Sequence, residues 1–466
     1  MPHDLQSQYV HDQLALRSRP LNEKRLQPDG EFILYWMQST QRLEHNWGLR
    51  LATREADRIG KPLLIVQGLD PHYRFASERF HTFVMQGAKE IAARADALGL
   101  EYRFVLKRDT SEKSRALDML VSRAAVVVTD DFPTAGVPER SALIASRANC
   151  RTVAVDSAGI VPVASFPKEE YAARTIRPKL MRMLDLALEP VEDRAPRKRL
   201  DVRFDIDWLD IGACDIAAEV ARCGIDRAVG PVESRGGLAA ARERLDLFVT
   251  DGLLDYSERR RNPDDVTGSS RLSPYLHHGM ISPQEIAEMV READVPVESE
   301  AFLNEMCTWR ELSLNFCTRN PRHMSLDALP AWVHGTMRAH AKDRRTVSYT
   351  LEQLEGAETY DALWNAGQRE LMRTGTMHNV VRMLWGKSIL LWAPTYKDAL
   401  EWMIHLNDKY AIDGRDANSY AGIQWCLGKF DRPFAERPVL GTIRPMSLER
   451  ARKKYALAGY LARWSR

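Results

Sequence analysis

Every short, β-branched apolar run in this chain lies before residue 160. Phe32-Ile-Leu-Tyr-Trp36, Leu63-Leu-Ile-Val66, Tyr102-Arg-Phe-Val-Leu106, Ala125-Val-Val-Val-Thr129 and Thr152-Val-Ala-Val155 alternate with helical periodicity at 45–59, 77–98, 113–123 and 138–147. Runs apolar on both faces are what parallel strands require when helices cover both sides of a sheet. The pattern predicts a doubly wound α/β domain with a parallel sheet. A dinucleotide site would show a Gly-rich turn after the first strand. Met37-Gln-Ser-Thr-Gln41 stands there instead, and there is no P-loop.

Leu188 to Leu200 is polar, charged and carries two prolines, and reads as a linker. Beyond it the periodicity is helical, at 237–251, 282–292, 300–316, 361–373, 377–392 and 396–406, with breaks at Gly252, Pro263, Pro274, Pro321 and Pro394. The expected division is an N-terminal extension over 1–30, an α/β domain over 31–187, a linker over 188–207 and an all-helical domain over 208–466. Six cysteines in 466 residues, none in a CxxC pair, make neither a disulfide framework nor a zinc site. The first 30 residues hold no apolar signal core, and no run approaches the ~18–20 apolar residues of a membrane span. A cytoplasmic, reduced protein is expected. The net charge is +2, but Asp431 to Arg466 carries nine basic residues against three acidic. That tail is either a phosphate-facing surface or a solvated basic end.

Eight of the 11 tryptophans lie from Trp309 onward. Trp385 and Trp392 are two turns apart on one helix, a rise of about 10.5 Å, and Trp364 opens the preceding helix. They form either a seam of core aromatics or an electron-hopping chain towards a redox cofactor. Asn407-Asp-Lys-Tyr-Ala-Ile-Asp413-Gly-Arg-Asp416-Ala-Asn418 gathers carboxylates and amides between two apolar helices. It lacks the Gly and bidentate Glu of a calcium loop, and suits the imide edge of a flavin or a nucleobase. Thr267-Gly-Ser-Ser-Arg-Leu-Ser273 can wrap a pyrophosphate with N–H groups, hydroxyls and one cation. His277-His278 reads as a packing pair, since no carboxylate or Cys stands at ligand spacing. Glu305 and Trp309 share a helix face that suits a planar, hydrogen-bonding ligand, and the neighbouring Arg310 and Glu311 read either as solvated helix charges or as part of such a face.

Taken together, Trp364-Asn-Ala-Gly-Gln-Arg-Glu370, Met377 to Trp392 and Leu406 to Asn418 resemble class II cyclobutane pyrimidine dimer photolyases. The resemblance continues in Leu34-Tyr-Trp-Met-Gln38 with Asn46-Trp47, Ser273-Pro-Tyr-Leu-His277 with Gly279, Arg310-Glu-Leu with Asn315-Phe-Cys317, and Asp431-Arg-Pro-Phe434 with Ile443-Arg444. It implies a Rossmann-like antenna domain joined to a helical FAD-binding domain. Light-driven opening of a flipped-out dimer by an electron from photoexcited reduced FAD, with no net redox change, would be the activity. By position, Ser269, Ser270, Arg271, Leu272 and Ser273 would hold the FAD phosphates, with Tyr256 lining the same cavity. Asp413, paired with Arg382, would meet the imide edge, Asn407 would sit beside flavin N5, and Asp416 and Asn418 would complete the set. Trp392, Trp385 and Trp364 would deliver electrons. Glu305 would bond the dimer, Trp309 and Trp425 would stack on it, and Met383 would pack beside it. Arg260, Arg432, Phe434, Arg437 and Arg444 would face double-stranded DNA or fill the gap left by the dimer.

Departures from the family pattern are His278 for a Phe, Asn379-Val380 for a Gly-aromatic pair, Phe434 for an indole, and Pro445 after Arg444. The resemblance further implies a monomer and a second, deazaflavin-type antenna. The alternatives are a cryptochrome-like photoreceptor, a (6-4) lesion specificity, or a nucleotidyl transferase, for which the first domain lacks an HxGH-type motif.

Overall fold

The computed structural model describes residues 3–112 and 115–465. Strands β1 (Ser18–Pro20), β2 (Phe32–Met37), β3 (Leu63–Leu69), β4 (Tyr102–Leu106), β5 (Ala124–Asp130) and β6 (Arg151–Val155) alternate with helices α1 (His3–Arg17), α2 (Trp47–Ile59), α3 (Glu78–Leu98), α4 (Ala116–Arg123) and α5 (Val137–Arg147). Helices follow: α6 (Ala173–Ala187), α7 (Ile216–Ala221), α8 (Leu238–Leu247), α9 (Tyr256–Arg259), α10 (Ser273–His277), α11 (Pro283–Glu292), α12 (Pro296–Arg319) and α13 (Ala331–Ala339). The last are α14 (Leu351–Glu355), α15 (Ala362–Thr374), α16 (Asn379–Trp392), α17 (Tyr396–Tyr410), α18 (Ala417–Cys426), α19 (Leu448–Lys454) and α20 (Ala458–Arg463). The α/β-plus-helical fold read from the sequence is the one observed. Lys113, at the start of one expected helix, lies outside the described residues.

The chain divides into two compact units. The first comprises Met1–Pro167, Met183–Glu243 and Leu272–Glu288; the second comprises Lys168–Arg182, Arg244–Arg271 and Met289–Arg466.

In the first unit the sheet order is β1-β6-β5-β2-β3-β4. Alternation along β2 sorts the core into two layers. Ile33, Tyr35 and Met37 face one cluster with Leu49 of α2 and Ala88 of α3. Phe32, Leu34 and Trp36 face the other, with Leu120 and Ile144 of α4 and α5. One strand departs from the expected parallel sheet: β1 runs antiparallel to β6, with Ser18 opposite Val155. Ser-Arg-Pro shows no apolar alternation, and its proline suits only an edge. The first thirty residues thus supply a helix and an edge strand. They are anchored by Arg17, which is buried and donates to the carbonyls of Asp156, Gly159 and Ile160 at 3.1, 3.0 and 2.5 Å.

The polar stretch read as a linker also packs. Leu200, Phe204 and Ile206 lie against the second layer. Phe204 meets Phe32 edge-on at 5.3 Å, and Arg123 covers its ring at 4.9 Å. These half-buried apolar side chains hold an otherwise charged segment against the sheet.

At the carboxyl end of β2, where a phosphate would sit in a nucleotide-binding sheet, the protein supplies its own anion. The Asp130 carboxylate accepts from Tyr35 Oη (2.7 Å) and from the backbone N–H groups of Gln38, Ser39 and Thr40 (2.8, 2.7 and 2.9 Å). The donors that would cradle a pyrophosphate are already satisfied, which agrees with the missing glycine fingerprint.

In the second unit α12, α15, α16, α17 and α18 form the helical core. α15 begins where Asp361 accepts from Leu363 N and Trp364 N (2.9 and 3.0 Å), a cap worth about 1 kcal/mol. It ends at Gly375, whose φ of 69° favours glycine.

Candidate active site

Three indoles converge in the second unit. Trp364 of α15 lies parallel to Trp385 of α16, with centroids 6.4 Å apart and planes 8° from parallel. It meets Trp392 edge-on at 5.5 Å. The spatial order is therefore Trp385, Trp364, Trp392, with the indole from α15 inserted between two carried by α16. All three are buried. Trp364 Nε1 donates to the Trp385 carbonyl (3.1 Å), and Trp385 Nε1 donates to Gln368 Oε1 (2.9 Å). Trp392 touches Tyr349 and Tyr360 at 5.2 and 5.8 Å, and Tyr360 is 69% exposed. A line of aromatic rings thus runs from the core to solvent.

The polar loop after α17 closes on α16. Arg382 donates to both carboxylate oxygens of Asp413, at 3.2 and 3.4 Å. Asn407 is buried and its amide donates to Asp408 Oδ1 (3.0 Å), which also accepts from Arg415 N; Tyr420 Oη donates to Asp408 Oδ2 (3.0 Å). Burial pushes the Asp408 carboxyl above its ordinary range, with those donors opposing. Asp416 and Asn418 serve the helix itself. Asp416 caps α18 through Asn418 N (2.8 Å) and holds the Asn418 amide (3.0 Å).

Along α18 only Asn418, Gly422 and Trp425 are half-buried, and every other residue of the helix is buried. They stand at i, i+4 and i+7, one stripe of a helix. A side chain added at Gly422 would find nothing within 4 Å. The first turn of α16 is open in the same way: Val380, Arg382 and Met383 are half-buried, whereas Leu384 to Leu390 are buried. Each of these two packed helices thus carries a partly open stripe on a mostly buried length.

Trp425, at the end of the stripe, stacks on Trp309 of α12 with centroids 4.7 Å apart and planes at 26°. Its Nε1 is buried with no hydrogen-bond partner. Trp309 Nε1 donates to Glu305 Oε2 (3.1 Å), and Arg260 pairs with Glu305 at 3.0 Å. Arg260 therefore binds a carboxylate here. Tyr256 packs edge-on against Phe248 and Phe302 at 5.8 and 5.4 Å, and burial raises its phenol to about 12.

Ser269, Ser270 and Arg271 form a loop whose carbonyls are held from behind. Arg244 donates to Ser269 O and Ser270 O at 2.9 and 2.8 Å. Arg271 adopts a φ of 51° and approaches Glu370 at 3.7 Å. Glu370 in turn accepts from Tyr460 Oη (2.7 Å) and His378 N (3.1 Å). Leu272, buried, and Ser273, exposed at the start of α10, are counted with the first unit and not with this group. So is His278, whose ring lies 5.3 Å from Phe83. Two supporting residues, Gln368 and Glu370, belong to the Trp364–Glu370 motif, and their spacing alone gives them no role; nothing in the sequence marks Arg244.

The basic tail is divided among several partners. Arg452 pairs with Asp361 at 2.6 Å, Lys453 with Glu449 at 2.7 Å, and Arg463 donates to Pro263 O and Asp264 O. Arg432, Arg437 and Arg444 are exposed on a hairpin-like loop where Arg437 and Gly441 pair, and Arg432 lies 5.8 Å from the Phe434 ring. Of the tail's basic residues, Arg452 and Arg463 serve partners within the protein and Lys453 an exposed pair, while Arg432, Arg437 and Arg444 stand exposed together on this loop. Among the described residues no cluster could hold a metal ion, and no helix is long and apolar enough to cross a membrane.

An α/β unit without a nucleotide cradle, followed by a helical unit with an indole line and a half-open polar stripe, is a fold shared with photolyases and cryptochromes. The superposition extends over 93% of the chain on a class III photolyase from Agrobacterium tumefaciens (TM-score 0.67, 17% identity, 86% of that chain) and on a Synechocystis cryptochrome (TM-score 0.66, 16% identity, 88% of that chain). Residues 33–197 match the DNA photolyase family model. The chain is 34% identical over 455 residues to a deoxyribodipyrimidine photo-lyase of Methanothermobacter thermautotrophicus, covering 96% of this chain and 98% of the relative. It is also 34% identical over 440 residues to that of Arabidopsis thaliana, covering 92% and 88%. The chain belongs to the deoxyribodipyrimidine photo-lyase family, a family of FAD-dependent lyases of DNA repair.

The residues present fit FAD. The vacant side of Gly422 and the half-open stripe of α18 leave room for a planar group, and half-buried Arg382 with buried Asp413 supplies a donor–acceptor edge.

Proposed function

We propose that this chain repairs cyclobutane pyrimidine dimers in double-stranded DNA under light. FAD, when bound, supplies light absorption and the electron that opens the cyclobutane ring. The protein's residues bind, orient and exclude water. Arg382 and Asp413 would hold the imide edge, Asn407 would present its amide beside N5, and Asn418 and Gly422 would flank the ring system. Tyr256, Ser269, Ser270 and Arg271 would secure the phosphate end, with Leu272 and Ser273 following in the same stretch of chain.

One observation carries this reading. The stripe of α18 passes from Asn418 and Gly422 to Trp425, a rise of about 10.5 Å over seven residues, so the cofactor stripe and the Trp309–Trp425 stack share one rigid helix. Glu305 sits at that stack with Arg260 and the Trp309 N–H on its carboxylate. A flipped dimer would stack on the paired indoles and take a hydrogen bond from or to Glu305. Met383 is half-open on α16 and would pack beside it. Trp385, Trp364 and Trp392 would carry electrons inward. A deazaflavin-type antenna and a monomeric state belong to the same proposal.

The test uses the purified flavoprotein, reduced, with a duplex irradiated to carry cyclobutane dimers. Dimers should disappear under blue light and persist in the dark. Persistence under light, with flavin bound and reduced, would overturn the reading and favour a photoreceptor role. Removal of (6-4) products alone would overturn the lesion assignment.

A further inference from the structure

The segment Asp431–Arg444 is anchored in an unusual way. Val439 has a φ of 66°, a region that a β-branched residue occupies only under constraint. Two side chains impose it: Asp343 Oδ2 accepts the Val439 N–H (2.8 Å), and Tyr396 Oη donates to the Val439 carbonyl (2.6 Å). Beside it Gly441 lies so close to α13 that a Cβ would stand 2.0 Å from Thr336 Oγ1 and 2.7 Å from His340 Cδ2. Thr336 also accepts from Thr442 N (2.9 Å).

His340, just past α13, joins the two ends of this arrangement. Its Nδ1 meets Asp343 Oδ2 at 2.7 Å and its Nε2 meets Glu436 Oε1 at 2.8 Å. Both partners are carboxylates and accept only. A neutral imidazole has one N–H to give, so this pair of bonds requires the imidazolium, with a proton on each nitrogen. The contact therefore exists in full only when His340 is charged. The charged and titratable groups set against it are Asp343 on its own turn and Glu436 on the hairpin. Behind Asp343 stand Arg345, which donates to the Asp343 carbonyl (2.9 Å) and covers the Tyr396 ring at 5.5 Å, and the Tyr396 phenol of α17.

We propose that His340 is a positioning residue for the DNA-facing hairpin: protonated, it ties Asp343, which holds Val439, to Glu436 and steadies Arg432, Phe434, Arg437 and Arg444 for a damaged duplex; deprotonated, it gives up one of its two bonds and loosens them. This rests on the hairpin's proposed contact with DNA. The Asp343 hydrogen bond, the largest cause, raises the imidazole above its ordinary value; burial opposes it, and Glu436 adds to the rise. A raised value means that the stabilisation is complete below about 6.5, the unfolded value, and is lost as pH climbs through the higher folded value. The latch is closed in mildly acidic solution and opens towards alkaline pH.

Hydrogen exchange of the holoprotein, followed by mass spectrometry on peptides spanning residues 434–443 and corrected for intrinsic rates, reads the latch directly. Protection of this segment should fall with rising pH in the parent. In His340→Gln it should be lower by about tenfold at pH 6, as expected for losing a charge-assisted hydrogen bond, and flat with pH. Glu436→Gln removes only the exposed partner and should shift the parent's midpoint downward. Flavin absorbance confirms that each variant retains its fold. In parallel, affinity for an ultraviolet-irradiated duplex should fall with pH more steeply in the parent than in His340→Gln. Identical exchange profiles in parent and both variants would overturn the latch. A latch visible in exchange but without any difference in the pH profile of binding would overturn the hairpin's assignment to DNA.

Discussion

At the scale of single residues, the decisive fact about the indole line is its order in space. Sequence spacing puts Trp385 and Trp392 on one face of α16, yet Trp364 is in contact with both, at 6.4 and 5.5 Å. It is the obligatory middle of the line. Trp364→Phe should therefore slow flavin photoreduction more than Trp392→Phe, which removes only the outer ring. Repair by chemically pre-reduced enzyme should be nearly unchanged in both. Trp364 is also fully buried, so its loss leaves a cavity costing about 1–2 kcal/mol; the thermal midpoint should fall while flavin stays bound. Photoreduction equal to the parent's in Trp364→Phe would return the three indoles to ordinary core packing.

At the scale of elements, α18 joins the two halves of the proposed site. Gly422 has a helical backbone and empty space beside it, so it is kept at some cost to the helix, about 1 kcal/mol relative to alanine. Gly422→Ala should raise the thermal midpoint of the apoprotein. Gly422→Phe should remain folded and lose flavin, read as absorbance per mole of protein. A fully flavinated Gly422→Phe would place the cofactor elsewhere. This element also marks the limit of what sequence can tell. Long apolar runs such as Ala125–Thr129, the helical periodicity of α15 to α17 and the break at Pro394 are legible, because each depends on its own neighbours. β1 and the packed stretch around Phe204 are not, since Arg17, Ser18 and Phe204 take their meaning from partners more than a hundred residues away. The same holds for Arg244, whose hold on the loop at Ser269 and Ser270 has no local signature.

At the scale of the whole molecule, the net charge of +2 says little about association with DNA, because the basic residues of the tail are unevenly committed. Arg452 and Arg463 are engaged within the protein and Lys453 in an exposed pair with Glu449, whereas Arg432, Arg437 and Arg444 are exposed on the hairpin. Binding to a duplex releases one condensed counterion, nearly, for each phosphate neutralised. The slope of log K against log salt should then drop by about 0.9 for each of Arg432→Gln, Arg437→Gln and Arg444→Gln. Arg452→Gln should leave the slope unchanged and lower stability instead, because Asp361, which it pairs with, is almost wholly buried and caps α15. Undamaged DNA should show the same slopes as damaged DNA for Arg437→Gln and Arg444→Gln if these side chains meet only phosphates. A change confined to the damaged duplex would assign them to the flipped lesion. Fluorescence anisotropy across a salt series, on matched duplexes with and without a dimer, separates the two outcomes. An unchanged slope in all three hairpin variants would move the DNA surface away from this loop altogether.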